Sequence, residues 1–232
     1  MSRKVNSDLY QRLSGIRGRI NDPANANQPT LSEKLQGGLD LFFHYTYLSE
    51  VILAMETLRK SSEVSWECCM DICNMGGIDQ FTQLLSSCNR SEPHFDIVQR
   101  SIAVLCNISR CPQTRHFIWH NRSLIEVMLA QGEHFWVVHP DLMSAICTTI
   151  QNSCKNNGKS LMFLQNNTTV VQRLRIVYKK WKRERHFLVK LSSKSGLRNS
   201  NMVKLEKLNA LETVLIPLLR DFGEDLIEEK PD

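Results

Sequence analysis

Gly76-Gly77-Ile78 opens the most informative region of this sequence, and Leu105-Cys106-Asn107-Ile108-Ser109 closes a strongly apolar run within it. The pattern predicts a helix over 77–88, a short loop, and a longer helix over 94–109. Apolar residues lie on nearly every side of the longer helix, which is typical of a helix covered by neighbours on both sides. The region 76–132 therefore predicts helices that pack on further helices.

Similar helical patterns extend in both directions from this region. Ten glycines and seven prolines among 232 residues are too few for a turn-rich β-sandwich, and no segment alternates as a strand should. We expect an amphipathic helix and linker over 1–30, a helical domain over 31–222 and an acidic tail over 223–232. Within the domain, helices are predicted at 31–46, 48–61, 64–74, 77–88, 94–109, 112–119, 122–132, 140–155, 159–165, 167–190 and 202–220.

These helical patterns recur with a period in the forties. Asn107 has a counterpart at Asn152, and Ile78 has counterparts near Leu124 and Val170. Such a period is typical of armadillo and HEAT repeats, in which each unit buries its apolar face against its neighbours. The Gly-Gly-Ile opening and the closing string around Asn107 also resemble an armadillo repeat. The sequence therefore predicts an all-α fold, a right-handed α-solenoid of the armadillo/HEAT type.

Asn107 and Asn152 are candidate groove residues under this resemblance. Armadillo proteins that bind extended peptides carry a tryptophan four residues before such an asparagine, whereas this chain has Ala103 and Thr148 there. Two interpretations follow: the asparagines bind a peptide, or they are structural residues at helix ends.

Three stretches carry a more specific resemblance. They are Ser87-Cys88-Asn89-Arg90-Ser91-Glu92-Pro93, then Val177-Tyr178-Lys179-Lys180-Trp181-Lys182 with the basic, serine-rich connector after it, and the last helix from Leu208 to Leu219. In this order, residues 75–220 resemble the C-terminal region of the abnormal spindle family of spindle-pole proteins.

The resemblance implies a protein-interaction module in mitotic spindle organisation. Its implied partners are microtubules or spindle-pole proteins, bound directly or indirectly. Its implied location is the cytoplasm and cytoskeleton, at spindle poles or centrosomes, or the interphase nucleus. The family's full chain also carries upstream calmodulin-binding IQ motifs, but residues 4–20 lack a clear Ile-Gln-x-x-x-Arg core. The alternative function is an armadillo-like adaptor unrelated to the spindle, which binds peptides or helices of another partner.

The densest charge lies in the helix predicted over 167–190. Within it, Glu184 is the one acid of residues 173–190. At 100° per residue, the apolar residues share one face, and Ile176 lies among the basic residues. The candidate partner-binding residues are Arg173, Arg175, Ile176, Lys179, Lys180, Lys182, Arg183 and Arg185, with Lys190 further along the same helix.

This basic helix has two open interpretations: a solvated outer face, or a docking face for an acidic partner such as tubulin. Calmodulin would need the apolar face, which is predicted to be buried in the stack. Nucleic acid is not expected, because Tyr178 and Trp181, which could stack on bases, both point inward.

Catalytic and metal chemistry are not expected. Eight cysteines without a framework of short loops indicate free thiols in a reducing compartment. Cys106, Cys111, His116 and His120 resemble zinc-finger spacing, but the loop between the pairs is too short. No nucleophile elbow or phosphate loop is present, and no window of about 20 apolar residues predicts a membrane span. We therefore expect no enzyme activity, no cofactor, no metal and no membrane association.

Overall fold

The computed structural model describes residues 30–136, 138–195 and 199–222. This part of the chain is all-α, as the sequence predicts. Every helix predicted within it has a counterpart. The helices are α1 (Leu31–His44), α2 (Leu48–Val64), α3 (Trp66–Asn74), α4 (Gly77–Ser87), α5 (Glu92–Arg110), α6 (Arg115–His120), α7 (Arg122–Phe135), α8 (Pro140–Cys154), α9 (Gly158–Gln165), α10 (Thr168–Ser195) and α11 (Asn199–Asp221). The predicted helix over 4–20 and the acidic tail lie outside the described residues.

Several helix boundaries differ from the prediction by two to five residues, including the start of α6 and the end of α10. Helix α6 begins at Arg115 rather than at 112, because the buried Thr114 hydroxyl donates a 2.6 Å hydrogen bond to the main-chain oxygen of Ile108. That bond holds the chain in a turn before α6. Helix α10 continues to Ser195, five residues beyond the predicted end, and Leu188 near its end is buried.

The helices lie in two rows. Helices α2, α5, α8 and α11 form one row, in which each packs against the next, and α4, α7 and α10 form the other. Contacts of α7 with α8 and of α10 with α11 join the rows, while α1 packs on α2. A short helix followed by two longer ones therefore occurs three times, as α3–α5, α6–α8 and α9–α11.

Side-chain hydrogen bonds between the units connect residues that are far apart in the chain. The Asn107 amide donates to the Ser62 hydroxyl at 3.0 Å, across 45 residues. The buried amide of Gln131 donates to the main-chain oxygen of Leu85 at 2.7 Å, across 46 residues. These separations match the period in the forties that the sequence pattern predicts.

Helix α5 lies at the centre of its row, between α2 and α8. Leu105, Ile102 and Ile108 of this helix are at most 1% exposed, as expected for a helix covered on both sides. Burial of apolar side chains of this size contributes about 1.5–3 kcal/mol each to folding. The apolar character of this helix is therefore explained by its position.

The Gly76-Gly77 pair marks the junction of α3 and α4. Gly76 has φ +83°, a left-handed conformation that glycine adopts without strain. A Cβ atom on Gly77 would lie 2.6 Å from the main-chain oxygen of Ile72. The pair is thus required by a tight turn and a close backbone approach, rather than by a phosphate.

Candidate partner-binding surface

Helix α10 is anchored by a continuous apolar side. Val170, Leu174 and Val177 are fully buried, and the Trp181 ring nitrogen donates a 2.9 Å hydrogen bond to the main-chain oxygen of Leu208 in α11. Tyr178 is half-buried and stacks on Trp181 with ring centroids 5.5 Å apart. The predicted inward face is therefore confirmed. A calmodulin-type partner would have to pull this face out of the core.

Two of the candidate basic residues pair with an acid on a neighbouring helix. Glu133 of α7 accepts from Arg173 at 3.1 Å and lies 3.7 Å from the Lys180 ammonium. Arg173 and Lys180 are half-buried at the border between α7 and α10. Both cations therefore share one acidic neighbour, Glu133, within the fold.

Arg185 faces α11 rather than open solvent. Its guanidinium lies 3.3 Å from Glu212 and 5.7 Å from the centre of the Trp181 ring. Glu184, the acid of this segment, accepts from Lys204 at 2.6 Å. Charged groups on this side of α10 therefore join the last two helices. Lys182 is half-buried.

The remaining candidates lie on one exposed strip of α10. Arg175, Lys179 and Arg183 are exposed at intervals of four residues, and Ile176 is 45% exposed beside them. One further residue, Phe187, is 59% exposed and continues the strip. We call this strip the basic face; it comprises Arg175, Ile176, Lys179, Arg183 and Phe187.

The sequence analysis did not identify Phe187 as a candidate, although its position on the helical wheel indicated that it lies beside Ile176. It lies eleven residues after Ile176, which brings it to nearly the same angle on a helical wheel. An exposed aromatic residue beside cations is more informative than cations alone, because contiguous exposed apolar surface is typical of interaction sites.

The candidate groove asparagines lie at the ends of long helices and reach the preceding unit. Asn107 donates to Ser62, and Asn152 of α8 donates to the Ser109 hydroxyl of α5 at 3.3 Å. Both are partly exposed. Thr148, at the position where peptide-binding armadillo proteins carry tryptophan, donates to the main-chain oxygen of Ser144 at 2.8 Å. These contacts favour the structural interpretation of the two asparagines.

The cysteines and histidines are dispersed through the helices. Cys106 and Cys111 are buried, and the rings of His116 and His120 are 6.4 Å apart. Within the described ranges, no three His, Cys, Asp or Glu side chains are placed to hold a metal ion together. Burial raises the pKa of Cys69, Cys73 and Cys147 to about 12, which is the opposite of what a reactive thiolate requires.

Among the described helices, no stretch combines the length and the apolarity that crossing a lipid bilayer requires.

The fold and the basic face thus define an all-helical protein of packed, recurring helix units with a charged and apolar outer strip. Among curated proteins, the chain is similar to abnormal spindle-like microcephaly-associated proteins. The homolog from Bos taurus is 24% identical over 179 residues, or 74% of this chain. The Homo sapiens protein is 28% identical and the Ovis aries homolog 29% identical, each over 85 residues, or 37% of this chain.

These comparisons confirm the resemblance to the abnormal spindle family. This chain spans 5% of the Bos taurus protein and 2% of the Homo sapiens protein. No protein-family model matches the chain, and no solved structure matches it.

Proposed function

We propose that this chain is a non-catalytic protein-interaction module of the armadillo/HEAT type, which acts in mitotic spindle organisation. The recurrence of a short helix followed by two longer ones, and the row from α2 to α11, support a solenoid arrangement. Proteins of this class stack their units into extended surfaces and use those surfaces to bind other proteins.

The docking role is inferred from one observation, the composition of the basic face. Ile176 and Phe187 are 45% and 59% exposed on the same strip as Lys179 and Arg183. Cations speed the encounter with an acidic partner, while apolar side chains supply the contact that is buried afterwards. We therefore propose an acidic protein surface as the partner.

The names of the relatives support the spindle as the place of action. Relatives that match 74% or 37% of this chain are named abnormal spindle-like microcephaly-associated proteins. Microtubules, whose tubulin surface is acidic, and proteins at spindle poles are the proposed partners. The proposed location is accordingly the spindle pole and the cytoskeleton.

The first experiment reverses the charge of the basic face. The variant Arg175→Glu/Lys179→Glu/Arg183→Glu and the wild type are compared by co-sedimentation with microtubules and by capture from mitotic extract, at about 0.1 M and 0.5 M salt. The matched control reverses three exposed basic residues on other surfaces, Lys34, Arg90 and Lys159. Both variants change the net charge equally.

We expect the basic-face variant to lose binding at low salt and the control to retain it. Screening shortens electrostatic range from about 10 Å at 0.1 M to about 3 Å at 1 M salt, so wild-type binding should also weaken with salt. Exposed substitutions of this kind change stability within about 0.5 kcal/mol. Equal binding by all three proteins would mean that the basic face is only solvated.

A second variant tests the apolar contribution. Ile176→Ser should weaken binding at both salt concentrations by a similar factor, because its contact does not depend on screening. The alternative adaptor function, unrelated to the spindle, predicts that neither microtubules nor spindle-pole proteins are captured. In that case Asn107 and Asn152 would be the next residues to substitute.

A further inference from the structure

Two cavities lie along one edge of the stack, where the long helices α5 and α8 end. A cavity of about 270 Å³ has Asn107 and Arg110 of α5 in its wall. A cavity of about 550 Å³ has Asn152 of α8 and Lys155, which follows that helix, in its wall. Asn152 and Lys155 each come forty-five positions after Asn107 and Arg110. The two cavities therefore occupy equivalent positions at the ends of neighbouring helices of the row.

Arg115 of α6 holds the ends of these two helices together. Its guanidinium donates a hydrogen bond of 2.8 Å to the main-chain oxygen of Lys155 and one of 3.4 Å to that of Arg110. The Arg110 guanidinium in turn donates to the side-chain oxygen of Asn107 at 3.4 Å. A single arginine head group thus spans both main chains. The exposed side chains of Arg110 and Lys155 therefore start from main chains that lie close together.

These three cations form a cluster without an acidic partner. Among the described residues, no carboxylate forms an ion pair with Arg110, Arg115 or Lys155. Glu63, in the wall of the first cavity, pairs with a neighbouring arginine at 3.1 Å, and Asp221 lines the second cavity. The surface therefore carries more positive than negative charge where the two helices end. Charge of one sign concentrated beside cavities attracts ligands of the opposite sign.

Exposed apolar side chains lie in the wall of the first cavity. Trp66, the first residue of α3, is 56% exposed, and Val64, at the end of α2, is 70% exposed. The other three tryptophans of the chain are at most 9% exposed. Large apolar side chains that face solvent beside charged groups are typical of surfaces that bind other proteins. We call this surface the loop edge; it comprises Val64, Trp66, Arg110, Arg115 and Lys155.

The spacing of the loop edge suits an extended chain. Helices α5 and α8 pack against each other, and packed helix axes lie about 8–10 Å apart. Three extended residues span about 10 Å, so a segment that runs from the first cavity to the second passes from Arg110 to Lys155 within about three residues. The side-chain amide of Gln151, which lines the second cavity, can bond to main-chain groups of such a segment.

We propose that the loop edge binds an extended acidic segment of another protein. An apolar side chain of that segment packs against Trp66 and Val64 in the first cavity, and its carboxylates lie beside Arg110 and Lys155. Arg115 positions the two cations by joining the helix ends. This site is separate from the basic face of α10, and it does not depend on the docking function proposed for that face.

The first experiment measures the binding of a defined peptide to the full chain. The probe is a fluorescein-labelled peptide of five glutamates around one leucine, titrated by fluorescence anisotropy at about 0.1 M and 0.5 M salt. The test variant is Arg110→Glu/Lys155→Glu. The matched control is Lys34→Glu/Arg90→Glu, which reverses two exposed cations elsewhere and changes the net charge equally.

We expect the wild type and the control to bind the peptide, and the test variant to bind about tenfold more weakly, because like charges then face each other. Wild-type binding should weaken with salt, and a peptide with glutamines in place of the glutamates should bind no protein. Arg110→Gln/Lys155→Gln removes the charges without reversing them and should give an intermediate loss, which decides the matter if urea melts show the reversed variant to be unfolded. Equal affinities for all the folded proteins would overturn the proposal.

A second measurement locates the leucine of the peptide. Because Trp66 is the exposed tryptophan of the chain, contact with leucine should shift the protein's fluorescence emission to shorter wavelength. Trp66→Phe should abolish the shift and nearly preserve the affinity, whereas Trp66→Ala should weaken binding about 3–10-fold at both salt concentrations. Binding of the peptide to the wild type without any shift would overturn the placement of the apolar side chain in the first cavity.

Two further outcomes would assign the binding differently. If a single-stranded RNA of similar charge bound more tightly than the peptide, and lost that binding in the loop-edge variant, the acidic peptide would be overturned in favour of nucleic acid. If only reversal of the basic face abolished peptide binding, the peptide would bind α10. The loop-edge proposal would then be wrong, while the docking function of the basic face would stand.

Discussion

The side-chain amide of Asn107 in α5 donates a hydrogen bond of 3.0 Å to the hydroxyl of Ser62 in α2. Ser62 is 6% exposed, so the bond lies at the edge of the core rather than in open solvent. It joins α5 to α2 near the C-terminal ends of both helices. A candidate groove residue therefore connects two neighbouring helices of the row.

We expect Asn107→Ala to lower the free energy of unfolding by about 1 kcal/mol, the usual contribution of such a hydrogen bond. The substitution should cost much less in a Ser62→Ala background, because the partner is already absent. Urea melts of the four proteins measure this coupling. Additive effects would show that Asn107 acts through another contact and would reopen its role in a groove.

Leu105→Ala should lower the free energy of unfolding by about 2–5 kcal/mol, the range for truncating a buried leucine in a well-packed core. Leu105 is fully buried in α5, between α2 and α8. The exposed Leu53, at 59%, provides a control, and Leu53→Ala should cost less than about 0.5 kcal/mol. A loss under about 1 kcal/mol for Leu105→Ala would place the centre of the stack elsewhere.

Helix positions were predictable from the sequence because each unit has a strong local pattern of apolar residues. The inward and outward sides of α10 were predictable for the same reason. The partners of its cations were not: the pairing of Arg173 with Glu133 depends on how α7 lies against α10. These two residues are forty positions apart in the chain, and no local periodicity in the sequence indicates that their side chains meet.

Glu56 should contribute to stability in a pH-dependent manner. Arg59, which donates to this carboxylate, and then Lys60 and Arg100 lower its pKa to about 2, against the effect of burial. A carboxyl whose pKa is lowered on folding stabilises the protein above its unfolded pKa of about 4.3. That contribution is lost as the pH falls toward 2.

We therefore expect Glu56→Gln to lower the free energy of unfolding by about 1–2 kcal/mol at pH 7. This is the contribution of a charge-assisted hydrogen bond, reduced because solvent screens the partly exposed groups. The difference from wild type should shrink between pH 5 and pH 3. Urea melts at pH 7, 5, 4 and 3 measure it. A difference that is independent of pH would contradict a role for the ionised carboxylate.

The buried thiols should be unreactive in the folded protein. Burial raises the pKa of Cys147 to about 12, whereas Cys154 is partly exposed. We expect iodoacetamide at pH 8 to label Cys154 first and Cys147 only on unfolding, with or without a chelator. Prompt labelling of Cys147, or a chelator-dependent change, would contradict this assignment.

The raised pKa values of the buried thiols should make the protein less stable in alkali. A thiol whose pKa rises on folding contributes stability below its unfolded pKa of about 8.5 and loses it as the pH approaches 12. The free energy of unfolding should therefore decrease progressively above about pH 9. Melts at pH 8, 9 and 10 test this, and Cys147→Ala should reduce the slope.

Two glycine substitutions should have opposite effects, and the contrast tests how α3 meets α4. A Cβ on Gly77 would lie 2.6 Å from the main-chain oxygen of Ile72 and 2.8 Å from its Cγ2 atom. Because a backbone oxygen cannot rotate away, Gly77→Ala should lower the free energy of unfolding by about 1–3 kcal/mol. Gly37, within α1, has no atom within 4 Å of its Cβ position.

Gly37→Ala should therefore raise the free energy of unfolding by up to about 1 kcal/mol, since alanine is the better helix former. Both proteins are compared with wild type in thermal and urea melts. If Gly77→Ala were neutral, α3 would not approach α4 as closely as the turn requires. Helix α3 could then shift against α4, and the Gly-Gly-Ile string would have no structural reason in this fold.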